Sequence, residues 1–239
     1  MPIHSHNDYQ QKQPLAEALK HRVKSIEADV FLVDDELCVA HFPHQIRKEK
    51  TLAKMYLEPL FAHFQKNKDN DDELFLMIDI KRDGEKVFPL LEKMLLPYGE
   101  MLTKYENGIV HKKPVRIILS GNRPLELMAQ QKSRFSFADG RISPNENNFA
   151  DENFTPMYSN NWKKIFTWNG KGTFPEREKI VLDKLSKEAE NQGIWLRFWN
   201  TPSSSKSKRK NMTNLLKQYP NILIGTDHIE ETSTYYRQK

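Results

Sequence analysis

The chain contains a single cysteine, Cys38, so no intramolecular disulfide can form and no cysteine-based zinc site is available. No apolar run approaches the roughly 20 residues of a membrane-spanning helix. The 9 glycines never form the Gly-x-Gly-x-x-Gly turn of dinucleotide-binding folds, and no repeat of fixed period is present. A disulfide scaffold, a solenoid and a membrane span are therefore disfavoured, and Cys38, inside an apolar run, is expected to be a buried thiol.

The N-terminus shows no signal-like apolar segment. The motif described below begins three residues after Met1, so a targeting peptide could have preceded it. Localisation therefore stays open, with export as one option, and so does the oligomeric state.

Positive charge is in slight excess, with 37 lysines and arginines against 32 acidic residues and a net charge of +5. This excess suits an anionic substrate without identifying one. The densest basic run, residues 206–210, follows the TPSSS segment and predicts a solvated loop, with a phosphate-attracting or membrane-surface patch as the alternative. Mixed charge and the lack of a recognisable binding motif argue against a nucleic-acid-binding protein.

Short apolar runs alternate with helix-like stretches along the whole chain. The runs are residues 3–6, 25–32, 74–80, 115–120, 135–138, 156–159, 194–199 and 222–225, with an extra extended segment at 37–41. Helices are predicted at 14–21, 52–65, 85–96, 124–132, 176–192 and 208–218, and a turn at 139–141. Alternation alone would also fit a doubly wound sheet, but eight strands without a glycine-rich turn favour a (β/α)8 TIM barrel, a single domain over residues 1–239.

Polar residues cluster at the ends of the first predicted strands, where barrel enzymes build their sites. Glu27 and Asp29 are two residues apart and share one strand face. Inward carboxylates repel each other and lose hydration, so a divalent cation would compensate them, with Asp79 and Asn7 as further oxygen ligands. All-oxygen ligation indicates Mg²⁺ or Ca²⁺ rather than zinc.

Four segments carry a family resemblance. SHNDY at 5–9, IEADV at 26–30, VAH at 39–41 and IDIK at 78–81 are similar to the successive motifs of the PLC-like phosphodiesterase superfamily, which includes phosphoinositide phospholipases C and glycerophosphodiester phosphodiesterases. Within it, the chain most resembles members that begin with His-Asn-Asp-Tyr. The matched motifs cover roughly the first third of the chain.

The resemblance implies that His6 and His41 are the acid/base pair, while Asn7, Glu27, Asp29 and Asp79 hold the metal. Phosphodiester chemistry needs the same groups, because one histidine can accept the proton of the attacking hydroxyl and the other can protonate the leaving alkoxide. Lys81 lies on the face of Asp79 and is assigned to the substrate phosphate, with a solvated lysine as the alternative.

The sequence departs from the motifs of the family in some places, and these departures leave alternatives open. The His-Arg-Gly start and Pro-Glu-Asn-Thr motif of glycerophosphodiester phosphodiesterases are absent, which argues against that substrate in its strict form. Alignment with the spider-venom sphingomyelinase D group would select His4 as the catalytic histidine, whereas His-Asn-x-Tyr selects His6 and leaves His4 beside the substrate.

Late in the chain, Arg197 and Trp199 share a strand face and are assigned to substrate binding, with a core position as the alternative for Trp199. Asp227 and His228 follow the last predicted strand and would line the same mouth, or Asp227 would cap a helix.

The expected function is a metal-dependent phosphoric diester hydrolase that acts on a phospholipid head group or a glycerophosphodiester-like substrate by His/His acid-base catalysis. A barrel that binds phosphorylated head groups without turnover is the alternative. Retention of both His6 and His41 argues against it, because binding alone needs no acid/base pair.

Overall fold

The computed structural model describes residues 1–67, 73–143, 149 and 151–238. In chain order its strands are β1 (Ile3–Ser5), β2 (Ser25–Val33), β3 (Glu36–Val39), β4 (Leu74–Ile80), β5 (Lys104–Glu106), β6 (Ile109–His111), β7 (Val115–Gly121), β8 (Ser133–Arg134), β9 (Ser136–Arg141), β10 (Met157–Asn161), β11 (Trp195–Trp199) and β12 (Ile222–Thr226).

Eight of these strands form a closed parallel barrel in the order β1-β2-β4-β7-β9-β10-β11-β12, and β12 returns to pair with β1. The predicted TIM barrel is confirmed, and each of the eight predicted strands overlaps a barrel strand. The closure places the first and last strands of the chain side by side, with Ser5 opposite Thr226. A small antiparallel sheet of β5, β6 and β8 lies outside the barrel.

The helices are α1 (Ala16–Lys20), α2 (Glu58–Lys66), α3 (Gly84–Leu95), α4 (Leu125–Ala129), α5 (Trp162–Ile165), α6 (Glu176–Glu190), α7 (Lys206–Leu216) and α8 (Ile229–Arg237). A π-helical segment, Ala53–Leu57, leads into α2. The helix predicted at 52–65 is therefore present, but its first part is π-helical and the rest is α-helical. The sequence analysis missed α5, α8 and the small sheet; α5 and the strands of that sheet have only two to four residues each, too few to show a periodic pattern.

Two local predictions are wrong. The basic run at 206–210 is not a loop: it forms the first turns of α7, where the Ser205 side chain accepts the backbone N–H of Lys208. Residues 139–141 are not a turn but the end of β9, and Asp139 is fully buried. Its Oδ2 accepts hydrogen bonds from Ser120 and Arg141, which offset part of the cost of burial, while its Oδ1 has no partner among the described residues.

The barrel interior separates into an apolar layer and a polar layer. Strand alternation turns six buried apolar side chains inward at the lower level: Phe75, Met77, Ile118, Phe137, Met157 and Leu223. Further along the same strands, the inward positions become polar, as at Asp79 and Ser120, which lie opposite each other on β4 and β7. The apolar layer closes the bottom of the barrel and supports the polar residues at its C-terminal mouth.

Cys38 is a buried free thiol on β3, as expected from its apolar surroundings. Within the described part of the chain, no helix combines the length and apolarity needed to cross a lipid bilayer.

Candidate active site

Three carboxylates meet at the barrel mouth. Glu27 and Asp29 point inward from β2, and Asp79 points inward from β4, directly opposite Asp29 in the strand register. One oxygen from each carboxylate lies within 4.8 Å of the others. The structure therefore brings together three of the four residues that the sequence assigned to a cation.

Asp29 has an unused oxygen. Its carboxylate is fully buried, and its Oδ1 has no hydrogen-bond partner among the described residues. An unpaired buried carboxylate oxygen is costly unless something else satisfies it. Gly121 keeps space open beside Asp79, because a Cβ there would lie 2.4 Å from the carbonyl oxygen of Ile80 and 2.5 Å from Oδ1 of Asp79. The oxygen-only donors and the orphaned oxygen fit a hard divalent cation.

The protein also supplies two cations of its own. The Arg197 guanidinium contacts Oε1 and Oε2 of Glu27 at 2.8 and 2.9 Å. The Nζ atom of Lys81 lies 2.7 Å from Oδ2 of Asp29 and 3.3 Å from Oδ1 of Asp79. These contacts offset part of the repulsion on which the sequence argument for a metal rested. Three carboxylates face two cations, so one negative charge remains uncompensated before the histidines are considered.

These contacts set the ionisation of Glu27, Asp79 and Lys81. Burial alone would raise the pKa of Glu27, but Arg197 and His4 hold it well below its ordinary value. Burial raises the pKa of Asp79, against the opposing charge of Lys81. Burial lowers the pKa of Lys81, but the charges of Asp79 and Asp29 outweigh it, so the pKa is raised and the ammonium stays protonated.

His6 follows β1 and is paired with a carboxylate from the far end of the chain. Its Nδ1 lies 2.7 Å from Oδ1 of Asp227, and its Nε2 lies 3.9 Å from Oε2 of Glu27. Since an ionised carboxylate can only accept, Nδ1 donates the hydrogen bond and Nε2 faces the carboxylate cluster. Burial lowers the pKa of His6, but the hydrogen bond to Asp227 and the charge of Glu27 outweigh it and raise the pKa.

His41 is held in the same way by Asp29. A tight hairpin links β2 to β3, with Asp34 and Asp35 both in the left-handed region at φ 49° and 61°. This hairpin folds β3 back along β2, so that Nδ1 of His41 reaches Oδ2 of Asp29 at 2.7 Å. The Nδ1 atom donates to the carboxylate, and Nε2 is left for proton transfer.

His4 occupies a different environment from His6. It is 1% exposed, its Nδ1 lies 2.8 Å from the Ser25 hydroxyl, and its Nε2 accepts a hydrogen bond from Nε of Arg197 at 3.0 Å and lies 3.1 Å from Oε2 of Glu27. Burial, with the charge of Arg197 adding, lowers the pKa of His4 from 6.5 to about 4. A neutral histidine whose two ring nitrogens are both engaged is suited to positioning Arg197 and Glu27.

The loop after β1 carries two residues to which the sequence reading gave no role. Asp8 is fully buried and accepts hydrogen bonds from the Ser5 and Tyr56 hydroxyls and from the backbone N–H of Leu15, so it anchors the loop. The Tyr9 hydroxyl lies 2.7 Å from Oδ2 of Asp29 and 3.0 Å from Oδ1 of Asn7. Their place in the His-Asn-Asp-Tyr motif was the signal that could have identified them.

Asn7 itself has φ 46°, a left-handed conformation that asparagine tolerates better than most residues. Its side-chain oxygen points to the Tyr9 hydroxyl, next to Asp29, so Asn7 borders the carboxylate cluster. Its assignment as a fourth ligand stays a prediction.

A cavity of about 250 Å³ opens beside His6. His4, Arg197, Trp199 and Asp227 contribute to its lining, and its inner wall includes Met212 and Leu216. Trp199 is 39% exposed, which places it at the wall of this cavity and not in the core. Of the predicted substrate contacts, Trp199 is accessible, whereas Arg197 is 5% exposed and committed to Glu27 and His4.

A parallel eight-stranded barrel with paired histidines around an acidic mouth defines the class as the PLC-like phosphodiesterase superfamily, and the sequence resemblance to it is confirmed. The calcium-dependent phosphoinositol-specific phospholipase C of a Gram-negative Pseudomonas superposes with a TM-score of 0.55 at 10% identity, over 99% of this chain and 90% of that one. At that identity, the likeness shows the shared fold.

Within this superfamily, the chain belongs to the AIM6-like phosphodiesterase domain family, whose model matches residues 1–72 and 64–139. It is similar to altered inheritance of mitochondria protein 6 homolog of Arthroderma benhamiae, at 28% identity over 99% of this chain and 84% of that protein. Altered inheritance of mitochondria protein 6 of Saccharomyces cerevisiae is 32% identical over 85% of this chain and 62% of its own length.

Proposed function

We propose that the protein is a metal-dependent phosphoric diester hydrolase that uses His6 and His41 as its acid/base pair. The observation that carries the proposal is that each histidine donates Nδ1 to a carboxylate at 2.7 Å while both flank one acidic cluster. That arrangement selects the tautomer that leaves Nε2 available for proton transfer.

His6 and His41 reach the cluster from two sides, His6 from β1 beside Glu27 and His41 from the β3 end beside Asp29. A phosphodiester seated over the carboxylates would have one histidine near the attacking oxygen and the other near the leaving oxygen. One then accepts a proton as the other donates one. Asp227 stabilises the protonated form of His6, which lowers the cost of its proton transfer.

Glu27, Asp29 and Asp79, with Asn7 beside them, would hold one divalent cation, Mg²⁺ or Ca²⁺. When bound, the cation polarises a phosphoryl oxygen and stabilises the charge that develops there. Lys81, whose flexible stem ends at this cluster, would add a positive charge to the same phosphate.

The substrate class we propose is a small phosphodiester or a phospholipid head group. A cavity of about 250 Å³ beside His6 can take a compact alcohol portion, and the exposed Trp199 ring forms part of its wall. The calcium dependence and phosphoinositol specificity stated for the Pseudomonas enzyme are properties of that protein, and they support testing calcium and inositol phospholipids first.

The test is a panel of phosphodiesters assayed with Mg²⁺, with Ca²⁺ and with excess chelator. The panel should contain phosphatidylinositol, sphingomyelin, glycerophosphodiesters and bis(p-nitrophenyl) phosphate, with the His6→Ala/His41→Ala double variant as the matched control. We expect turnover of at least one substrate that requires a cation and disappears in the double variant.

Activity that persists in excess chelator would remove the cation from the proposal. Binding of a phosphodiester without turnover, at equal affinity in the wild type and the double variant, would instead support the non-catalytic alternative.

A further inference from the structure

The carboxylates of Asp29 and Asp79 already share an internal cation. The Nζ atom of Lys81 lies 2.7 Å from Oδ2 of Asp29 and 3.3 Å from Oδ1 of Asp79. The backbone N–H of Lys81 also donates to the carbonyl of Val30 at 3.1 Å, which fixes the base of the side chain beside β2. The ammonium group therefore lies among the same oxygens that a metal ion would use.

A bound cation and this ammonium group would repel each other. Mg²⁺ or Ca²⁺ sits about 2.0 to 2.6 Å from its carboxylate oxygens, so an ion shared by Asp29 and Asp79 would lie within a few ångströms of Nζ. The cluster is largely buried, with the side chain of Lys81 only 22% exposed, so water screens little of this repulsion. Both cations cannot use the two carboxylates fully at the same time.

The two internal cations of the site differ in their freedom to move. Arg197 is held by both oxygens of Glu27 and by His4, and its side chain is 6% exposed. Lys81 is a single charge on a flexible four-carbon stem that reaches partly into solvent. Arg197 is therefore a permanent partner of Glu27, whereas Lys81 can leave its carboxylates when another group attracts it.

We infer that Lys81 is a built-in counter-ion that occupies the Asp29–Asp79 pair in the absence of metal and lowers the affinity of the site for a divalent cation. A phosphate group next to the cluster draws the ammonium away and relieves the competition. Cation and phosphate then bind cooperatively, each tightening the other by the same factor. This inference rests on the proposed function, to which it adds a way in which Lys81 regulates metal binding.

The experiment is a calorimetric titration of the metal-free full chain with Mg²⁺, for the wild type and for Lys81→Met. We expect Lys81→Met to bind Mg²⁺ more tightly, by on the order of tenfold, because the competing charge is gone. Lys48→Met is the matched control, since Lys48 pairs with the exposed Asp34, and it should bind as the wild type does.

The second measurement is thermal unfolding. The metal-free Lys81→Met protein should melt below the wild type, because Asp29 and Asp79 lose their shared cationic partner, and saturating Mg²⁺ should raise its Tm by more than it raises that of the wild type. In a third arm, inorganic phosphate should tighten Mg²⁺ binding more in the wild type than in the variant. If Lys81→Met does not fold, the same measurements are made on Lys81→Gln.

Equal or weaker Mg²⁺ affinity in a folded Lys81→Met or Lys81→Gln protein would overturn the inference while leaving the proposed metal site intact. Mg²⁺ binding by the Lys81 variant but not by the wild type would give the inference its strongest support. Absence of binding to both proteins would remove the cation from the proposed function and this inference with it.

Discussion

The Nδ1 atom of His6 lies 2.7 Å from the Oδ1 atom of Asp227, although 221 positions separate the two residues in the chain. The contact exists because β12 closes the barrel against β1. It gives His6 a carboxylate partner that fixes the tautomer of its ring and raises its pKa.

Asp227→Asn tests this partnership. The raised pKa of His6 depends on the hydrogen bond and charge of Asp227 acting against burial, so we expect the substitution to lower that pKa and to reduce kcat. Proton NMR titration of the His6 ring measures the shift directly. Asp34→Asn, on the exposed hairpin, is the control, and a His6 pKa that stays the same in Asp227→Asn would contradict the assignment.

Alanine substitution of the three histidines at the mouth should separate catalysis from positioning. We expect His6→Ala and His41→Ala each to lower kcat by about 10² to 10⁴ fold with little change in Tm, the usual range for a general acid or base. His4→Ala should lower kcat less and Tm more, because His4 is buried between Ser25 and Arg197. If His4→Ala lost the most activity at an unchanged Tm, the choice of His6 would be wrong.

The buried neutral His4 should make stability depend on pH. Its pKa is lowered by burial and by Arg197 from 6.5 to about 4, so between these values the unfolded chain binds a proton that the folded protein does not. The contribution is therefore complete above the unfolded pKa and is lost as pH falls toward the folded one. A shift of this size corresponds to on the order of 3 kcal/mol in the free energy of unfolding.

Urea unfolding at about pH 7 and about pH 5 measures this dependence. We expect His4→Gln to lose less stability than the wild type between the two conditions, and His44→Gln, an exposed position in the 3-10 helix Pro43–Gln45, to behave as the wild type does. Identical losses in wild type and His4→Gln would mean that His4 is not the group responsible.

Lys81→Met should also change the kinetics at saturating metal. A cation beside the phosphate interacts more strongly as negative charge grows on the phosphoryl oxygens, so we expect kcat to fall by more than KM rises. Steady-state kinetics with Lys48→Met as the control measure the two constants. A raised KM at unchanged kcat would reduce Lys81 to a ground-state contact, and unchanged kinetics would assign it no role toward the phosphate.

The barrel was predictable because its signals are local. Eight apolar runs in alternation with amphipathic segments indicate strands and helices through local periodicity, and the strand predicted at 74–80 has the same bounds as β4. The same holds for the shared face of Glu27 and Asp29, which follows from their spacing of two on one strand.

The sequence by itself thus determined the eight strands, the side chains that share a face, and the family motifs that name His6, His41 and the three carboxylates. Only the tertiary structure decided the partners of those groups. Asp227 reaches His6 through barrel closure, Arg197 reaches Glu27 from β11, and Lys81 turns to Asp29 on the neighbouring strand. Hydrogen bonds and ion pairs depend on distances of a few ångströms between distant segments, and strand periodicity carries no information about those distances.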